Sequence, residues 1–176
     1  MRLILIRHTS LSIPSGICYG QSDVDVSATF LNEAEKIRHN LMPYPVDSAY
    51  TSPLTRCTKL ADFCGFSNAI PDERLLELNF GDWEMQAWDH IEDPNLQRWY
   101  DNWIDTPTTG GESFKNQYLR YVSFIDELSK QSPHQTIALF THAGILHCAR
   151  IHAGLDTFDT AFATKLNYGE ILELNL

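Results

Sequence analysis

Two short aliphatic runs without polar alternation constrain the fold of this chain more than any other feature. They are LILI at 3–6 and IALF at 137–140. A strand that is apolar on both sides must be covered on both faces, as in a parallel sheet flanked by helices. We therefore expect both runs to form buried strands of a sheet that lies between two helix layers.

Patterns typical of helices alternate with patterns typical of strands along the rest of the chain. We expect helices over 28–42, 53–64, 112–131 and 143–155, and further strands over 47–52, near 69–71 and over 169–176, the last at a sheet edge. Ser27 and the Ser52-Pro53 pair predict the N-termini of the first two helices. This alternation predicts a single α/β domain over residues 1–176, a three-layer α/β/α arrangement with a mostly parallel central sheet.

Composition limits the partners of such a domain. The chain has 176 residues with 13 Lys+Arg against 23 Asp+Glu, and its formal net charge is −10. An acidic surface repels nucleic acid and anionic membranes, so we expect neither as a partner. The four cysteines form no CxxC pair, the first residues do not resemble a signal peptide, and no apolar stretch approaches bilayer length. We expect a cytoplasmic monomer or homodimer.

Chemically active residues follow several of the predicted strands. Arg7 and His8 come directly after LILI, Arg56 lies in the helix after the second strand, and His142 follows IALFT. Ligands of open α/β sheets bind at the carboxyl ends of the strands, so we expect these side chains to share one pocket. Together with two helix N-termini they would form an electropositive site for a small anion on an otherwise acidic protein.

Five segments carry a resemblance to a known family. In chain order they read RHT at 7–9, SPLTRC at 52–57, LLELNFGDWE at 75–84, GGES at 110–113 and THAGI at 141–145. In this order they resemble the motifs of the histidine phosphatase (phosphoglycerate mutase-like) superfamily. RHTSLSIPSGICYGQSD together with LLELNFGDWE is most similar to the CobC-type α-ribazole phosphatases of cobalamin biosynthesis. The resemblance implies the histidine phosphatase fold and phosphomonoesterase activity on a small-molecule phosphate monoester.

The resemblance also implies roles for individual residues. His8 would be the nucleophile that forms phosphohistidine, Arg7 and Arg56 would grip the phosphoryl oxygens, and a cationic His142 would donate to bound phosphate. Because side chains supply the positive charge, we expect no metal and no other cofactor. The residues expected to bind substrate are Arg7, Thr9, Tyr19, Gly20, Gln21, Ser52, Arg56 and Ala143.

Glu77 is the expected general acid, which protonates the leaving alkoxide and then activates water. It matches the family motif and lies between Leu76 and Leu78, a setting that would favour the protonated carboxyl. Other carboxylates in the region compete for this role, although solvated surface charge is the simpler interpretation of each: Asp72, Glu73, Asp82 and Glu84. The tryptophan-rich segment 83–103 would either cover the pocket and stack on a base, or form a packed edge of the core.

Several departures and alternatives bear on the function. Four residues depart from the family motifs. Thr9 replaces the usual glycine after the histidine, and Met85 replaces the usual glycine after WE. His147 stands where an arginine is common, and Pro14 stands where mutases carry a phosphate-binding asparagine. A cysteine phosphatase would need an arginine six residues after a cysteine, and none is present. A broad-specificity sugar-phosphate or nucleotide phosphatase, a phosphoglycerate mutase and a non-catalytic phosphoryl-binding regulatory module remain alternatives to an α-ribazole 5′-phosphate phosphatase.

Overall fold

A computed structural model describes residues 1–176 and contains one five-stranded sheet in the order β3–β2–β4–β1–β5. The strands are β1 (Arg2–Arg7), β2 (Ser48–Thr51), β3 (Ile70–Pro71), β4 (Thr136–Thr141) and β5 (Ile171–Asn175). Strands β1 to β4 pair in parallel, and β5 pairs antiparallel with β1 at one edge. The predicted mostly parallel sheet with a C-terminal edge strand is confirmed.

Helices cover both faces of this sheet. They are α1 (Phe30–Leu41), α2 (Thr55–Phe63), α3 (Leu96–Asp101), α4 (Phe114–Gln131) and α5 (Ala143–His152). Alternate residues of β1 divide between two core clusters: Leu3 and Leu5 pack with residues of α4 and α5, and Ile4 and Ile6 pack with residues of α1 and α2. The three-layer prediction from LILI is therefore confirmed. None of the helices combines the length and the apolar character needed to cross a bilayer.

The two predicted N-caps are wrong. Helix α1 begins at Phe30 after Thr29, and α2 begins at Thr55 after Leu54. The Ser52 hydroxyl lies 2.7 Å from Nε2 of His142, which is a stronger contact than its 3.4 Å approach to the Leu54 amide. A tertiary partner has thus replaced the local one that the sequence suggests.

The segment between β3 and α4 has little regular structure. It contains short 3₁₀ turns at Glu73–Leu75, Gly81–Trp83 and Trp88–His90 and the six-residue helix α3. Trp83 is almost fully buried with Cys18 and Ile91 and anchors this segment to the chain after β1. The segment lies beside the carboxyl ends of the strands.

Strand register places the two predicted histidines side by side. Arg7 in β1 is paired with Thr141 in the parallel strand β4, and the His8 amide donates to the Thr141 carbonyl at 3.0 Å. His8 and His142 are therefore the first residues after the ends of two adjacent strands. This position, outside the carboxyl edge of the sheet, is where open α/β sheets form their ligand sites.

Candidate active site

His8 lies at the centre of the site with one ring nitrogen held by the backbone. Its Nδ1 lies 2.8 Å from the carbonyl oxygen of Thr9, and the side chain is 1% exposed. A carbonyl only accepts hydrogen bonds, so Nδ1 carries the hydrogen and the lone pair is on Nε2. Burial, followed by the charge of Arg56, lowers the pKa of His8 well below 6.5. The ring is therefore neutral near pH 7, as a nucleophile has to be.

His142 faces His8 across the site, with ring centroids 5.2 Å apart and ring planes at 63°. Its Nδ1 accepts a hydrogen bond from Nε of Arg56 at 3.2 Å, and its Nε2 lies 2.7 Å from the Ser52 hydroxyl. Burial, and then the Arg56 charge, lowers the pKa of His142 well below 6.5. The cationic His142 expected from the sequence is not found in this arrangement, because Nδ1 is occupied as an acceptor.

A cysteine also lies in this part of the site. The Sγ atom of Cys57 is 3.6 Å from Nε2 of His142. Burial raises the pKa of Cys57 to about 12, so the group is a thiol and not a thiolate near neutral pH. Since the thiolate is the nucleophilic form, Cys57 is a packing neighbour of His142 and not a competing nucleophile.

Arg56 joins His142 to the loop after β1. Its side chain is fully buried, and its Nη1 and Nη2 atoms donate to the carbonyls of Ser22 at 2.9 Å and Gly20 at 2.5 Å. A guanidinium has five N–H donors, so one hydrogen on each Nη remains for an anion. The chain passes Gly20 very closely, since a Cβ atom there would lie 1.9 Å from the carbonyl oxygen of Leu78. The predicted residues Gly20 and Gln21 are thereby held at the edge of the site.

Two buried donors beside His8 have no protein partner. Nε of Arg7 and the Thr9 hydroxyl are both enclosed and make no hydrogen bond, although Nη1 of Arg7 donates to the Leu166 carbonyl at 2.6 Å. Buried polar groups are normally paired, and leaving one unpaired is energetically costly. Unpaired donors on both residues that flank the nucleophile are what an anion-binding site requires.

Two tyrosines close the space above His8. The hydroxyls of Tyr19 and Tyr168 lie 2.8 Å apart, and the Tyr168 ring lies 5.6 Å from the His8 ring. The Cζ atom of Arg7 is 4.0 Å from the centroid of the Tyr168 ring, within the range of a cation–π contact. Tyr19 was predicted from the sequence, whereas nothing in the sequence around Tyr168 indicates its place here.

Glu77 lies at the N-terminus of α5. Its Oε1 accepts from the Leu78 amide at 2.9 Å and from Nε2 of Gln117 at 3.1 Å, and its Oε2 accepts from the Gly144 amide at 3.3 Å. The sequence predicted an apolar setting from Leu76 and Leu78. In the structure the carboxylate also receives these three hydrogen bonds, so its surroundings are partly polar. The hydrogen bonds fix its position and leave its other side facing a cavity.

Each competing carboxylate either pairs with other groups or, like Glu73, is exposed. Glu84 accepts from the amides of Gln21 at 2.9 Å and Phe80 at 3.0 Å, and so ties the loop after β1 to the segment after β3. Asp72 pairs with Arg74 at 2.6 Å. Asp82 is exposed. Of the carboxylates considered, Glu77 is the one that contacts the N-terminus of α5 beside His142.

A cavity of about 650 Å³, here called the aromatic cavity, extends from Glu77. Glu77, Ala143 and Gly144 line it, and no lysine or arginine does. Its apolar lining includes Tyr19, Phe80, Trp88, Trp99, Tyr100, Trp103 and Phe162. Trp83 belongs to a core cluster, as the packed-edge interpretation of segment 83–103 expects, whereas other aromatic residues of the segment line this cavity.

The structure brings every predicted site residue to this edge of the sheet and adds some that sequence reasoning missed. Gln117, which holds Glu77, is fully buried on α4. Its position three residues after Phe114 and four before Tyr121 is a core position of the helix, so a polar residue there was a detectable signal. Phe162, like Tyr168, has no such signal, because it lies outside any periodic segment.

Comparisons with known proteins match most of the chain. A family model described as the histidine phosphatase superfamily (branch 1) matches residues 3–176. The chain is 31% identical to an adenosylcobalamin/alpha-ribazole phosphatase of Escherichia coli over 83% of this chain and 75% of that protein. It is 26% identical to phosphoserine phosphatase 1 of Hydrogenobacter thermophilus over 97% of this chain and 86% of that protein.

Solved structures share the fold. The crystal structure of the alpha-ribazole phosphatase from Shigella flexneri is similar with a TM-score of 0.90 and 24% identity, covering 100% of this chain and 91% of that one. A mycobacterial glucosyl-3-phosphoglycerate phosphatase is similar with a TM-score of 0.84 and 20% identity, covering 98% and 88%. Enzymes with different named substrates thus share this architecture.

Proposed function

The chain belongs to the histidine phosphatase superfamily and is a phosphatase, and from this premise we propose that it hydrolyses α-ribazole 5′-phosphate through a phosphohistidine on His8. In the first step the Nε2 lone pair of His8 attacks phosphorus, the N–P bond forms, and the bond from phosphorus to the ester oxygen breaks. Glu77 gives its proton to the departing oxygen. In the second step Glu77 takes a proton from water, whose oxygen attacks phosphorus and releases His8 and inorganic phosphate.

Hydrogen-bond donors that the protein holds in place would stabilise the negative charge on the phosphoryl group. Arg56 has one free hydrogen on each Nη, and Nε of Arg7 and the Thr9 hydroxyl are unpartnered beside His8. Such donors need no reorganisation when charge spreads over the phosphoryl oxygens during transfer. Ser52 acts through His142, whose Nε2 lies 2.7 Å from its hydroxyl, and so belongs to the support of the site.

The observation that carries the substrate proposal is the aromatic cavity that extends from Glu77. A leaving group whose oxygen is protonated by Glu77 would extend into this cavity. The leaving group of α-ribazole 5′-phosphate carries a benzimidazole base on ribose. This base is flat, apolar and uncharged near neutral pH, and it would stack on the aromatic residues there. The Escherichia coli relative, named for adenosylcobalamin and alpha-ribazole, supports this choice.

The same cavity argues against charged leaving groups. Phosphoserine and phosphoglycerates carry a carboxylate, which would lie among apolar side chains near Glu77 and Asp159 without a lysine or arginine to pair with it. An unpaired carboxylate in such surroundings is costly. The likeness to a phosphoserine phosphatase therefore does not decide the substrate, and a mutase reaction on phosphoglycerate is disfavoured for the same reason.

The test is a comparison of kcat/KM for α-ribazole 5′-phosphate, ribose 5-phosphate and phosphoserine. We expect the first to be the best substrate. Tyr100→Ala removes a half-exposed ring that lines the cavity, and it should raise KM for α-ribazole 5′-phosphate about fivefold or more, since base–aromatic stacking is worth about 1–3 kcal/mol. KM for ribose 5-phosphate, which lacks a base, is the control. Equal kcat/KM on all three substrates would favour a broad-specificity phosphatase.

We further propose that the protein acts in the cytoplasm as a monomer or homodimer, without a nucleic-acid or membrane partner. Its net charge of −10 and its four free thiols support this, because reducing compartments keep thiols unpaired. Light scattering of the purified protein measures the oligomeric state. A complex larger than a dimer, or retention on nucleic acid or lipid vesicles at physiological salt, would contradict this part of the proposal.

A further inference from the structure

Gln117 has a buried acceptor that nothing in the protein uses. The residue projects from α4 and is 0% exposed. Its Nε2 donates to Oε1 of Glu77 at 3.1 Å, but its own Oε1 is enclosed and has no hydrogen-bond partner. A fully buried amide normally uses both its donor and its acceptor, so the unpaired oxygen beside Glu77 requires an explanation.

Glu77 needs different partners in the two steps of the proposed reaction. As a carboxylate it only accepts hydrogen bonds, and it receives them from Leu78, Gly144 and Gln117. As a carboxylic acid it also has one O–H to donate. Until a departing oxygen takes that hydrogen, the acid needs an acceptor that keeps the carboxyl in place. Oε1 of Gln117 can be this acceptor, because it belongs to the same amide group that already contacts Glu77.

We propose that Gln117 is a positioning residue whose amide follows the protonation state of Glu77. Nε2 donates to the carboxylate, and a half-turn about the last side-chain torsion brings Oε1 to accept from the carboxylic acid. The torsion that carries an amide is broad and roughly two-fold, so both orientations are accessible. The inference rests on the proposed function, because it assumes that Glu77 gains and loses a proton in each cycle.

Gly144 leaves the room for this exchange. A Cβ atom at Gly144 would lie 2.3 Å from Oε1 of Glu77 and 2.7 Å from both Oε1 and Nε2 of Gln117. Both amide atoms are therefore equally close to the place that a side chain at this position would occupy. The absence of a side chain at this position lets the carboxyl and the amide pack against the first turn of the helix in either orientation.

The kinetic test compares Gln117→Met with wild type on two substrates. Methionine keeps the length of the side chain but neither donates nor accepts strongly. With an alkyl phosphate, whose leaving oxygen needs a proton, we expect a rate loss about tenfold larger than with p-nitrophenyl phosphate, whose leaving group does not. Gln131→Met is the matched control, because Gln131 lies at the exposed end of the same helix and also contacts a glutamate, Glu127.

A double variant separates positioning from simple structural damage. If Gln117 acts through Glu77, Gln117→Met should add almost no further loss on the alkyl phosphate in a Glu77→Gln background. Equal losses on the two substrates, or losses that add fully in the double variant, would overturn the inference. The Glu77→Gln single variant tests the proposed function separately, since a loss that does not depend on the leaving group removes Glu77 as the acid and this inference with it.

A measurement on the wild-type protein covers the case in which Gln117→Met does not fold. The side-chain amide resonances of Gln117 should move together with the carboxyl carbon resonance of Glu77 when pH is varied. In Glu77→Gln the same amide resonances should stay fixed over that range. Amide resonances that do not respond to protonation of Glu77 in the wild type would overturn the inference whatever the kinetics.

Discussion

Nε of Arg56 donates a hydrogen bond to Nδ1 of His142 at 3.2 Å, and both side chains are fully buried. An arginine in a protein keeps its proton, so this contact makes Nδ1 an acceptor and leaves the ring hydrogen on Nε2, facing the Ser52 hydroxyl. The second histidine of the site is therefore neutral, and the positive charge of the pocket resides on two guanidiniums.

The protonation state of His142 can be measured directly. In the free enzyme at pH 7 we expect nitrogen chemical shifts of a neutral ring with hydrogen on Nε2, and no titration near pH 6.5, because burial and Arg56 lower the pKa of His142. Imidazolium shifts for His142 at pH 7 would contradict the prediction.

Arg56→Lys should reduce kcat/KM by about a hundredfold although it keeps the charge. A lysine cannot contact His142, Gly20 and Ser22 at once as the three guanidinium nitrogens do. The same exchange at exposed Arg98, in α3, is the control and should leave the kinetics unchanged. A loss smaller than about threefold at position 56 would mean that charge alone suffices there.

Stability should fall as pH decreases below about 6.5. Burial lowers the pKa values of His8, His142 and His147 in the folded protein. Below pH 6.5 the unfolded chain therefore binds protons that the folded chain does not bind, and the free energy of unfolding decreases. Each histidine that stays neutral in the folded protein at pH 5.5 contributes a loss of about 1 kcal/mol. Urea unfolding at pH 7.5 and 5.5 measures the difference, and His8→Asn should reduce it.

Glu77→Gln should slow phosphoryl transfer from an alkyl phosphate by about 10²-fold or more, and transfer from p-nitrophenyl phosphate far less. The reason is that a sugar alkoxide needs a proton to depart and a nitrophenolate does not. With the nitrophenyl ester the variant should show a burst followed by slow turnover, because water attack also loses its base. Single-turnover rates decide the matter, with Asp82→Asn as the exposed carboxylate control.

His8→Ala should eliminate turnover, whereas His134→Ala should retain it. Rapid quench of the wild type with labelled substrate should trap phosphate on the protein that is labile in acid and stable in base, as expected for a phosphorus–nitrogen bond. Chelation with EDTA should leave this activity unchanged. Acid-stable label would point to an oxygen nucleophile, and loss with EDTA that Mg²⁺ or Zn²⁺ restores would point to a metal.

Periodic features of the sequence predicted the scaffold well. LILI and IALF became β1 and β4, and the apolar spacing of residues 114–128 became the buried face of α4. These predictions succeed because burial on a helix or strand imposes a regular period on the residues themselves. Helix ends were less predictable, since Ser52 bonds to His142, a residue 90 positions away, and not to its own helix.

The location of the candidate site followed from the same logic, but its chemistry did not. Arg7, His8 and His142 had to meet at the carboxyl edge once their strands were parallel neighbours. The neutral state of His142, the closure of the site by Tyr168 and the support of Glu77 by Gln117 all depend on contacts between distant segments. Burial and hydrogen-bond partners of this kind leave no local pattern, so sequence reasoning expected a cation at His142 and missed the other two.

Sheet order has a consequence for the synthesis of the protein. Strand β4 lies between β1 and β2, so within the first 135 residues β1 has no sheet contact with the pair formed by β2 and β3. A growing chain cannot join them, or bring Arg56 against His142, until residues 136–142 have left the ribosome. Long-range pairing of this kind is slow and leaves apolar faces uncovered meanwhile. LILI therefore stays without either of its strand partners, β4 and β5, until most of the chain has been made.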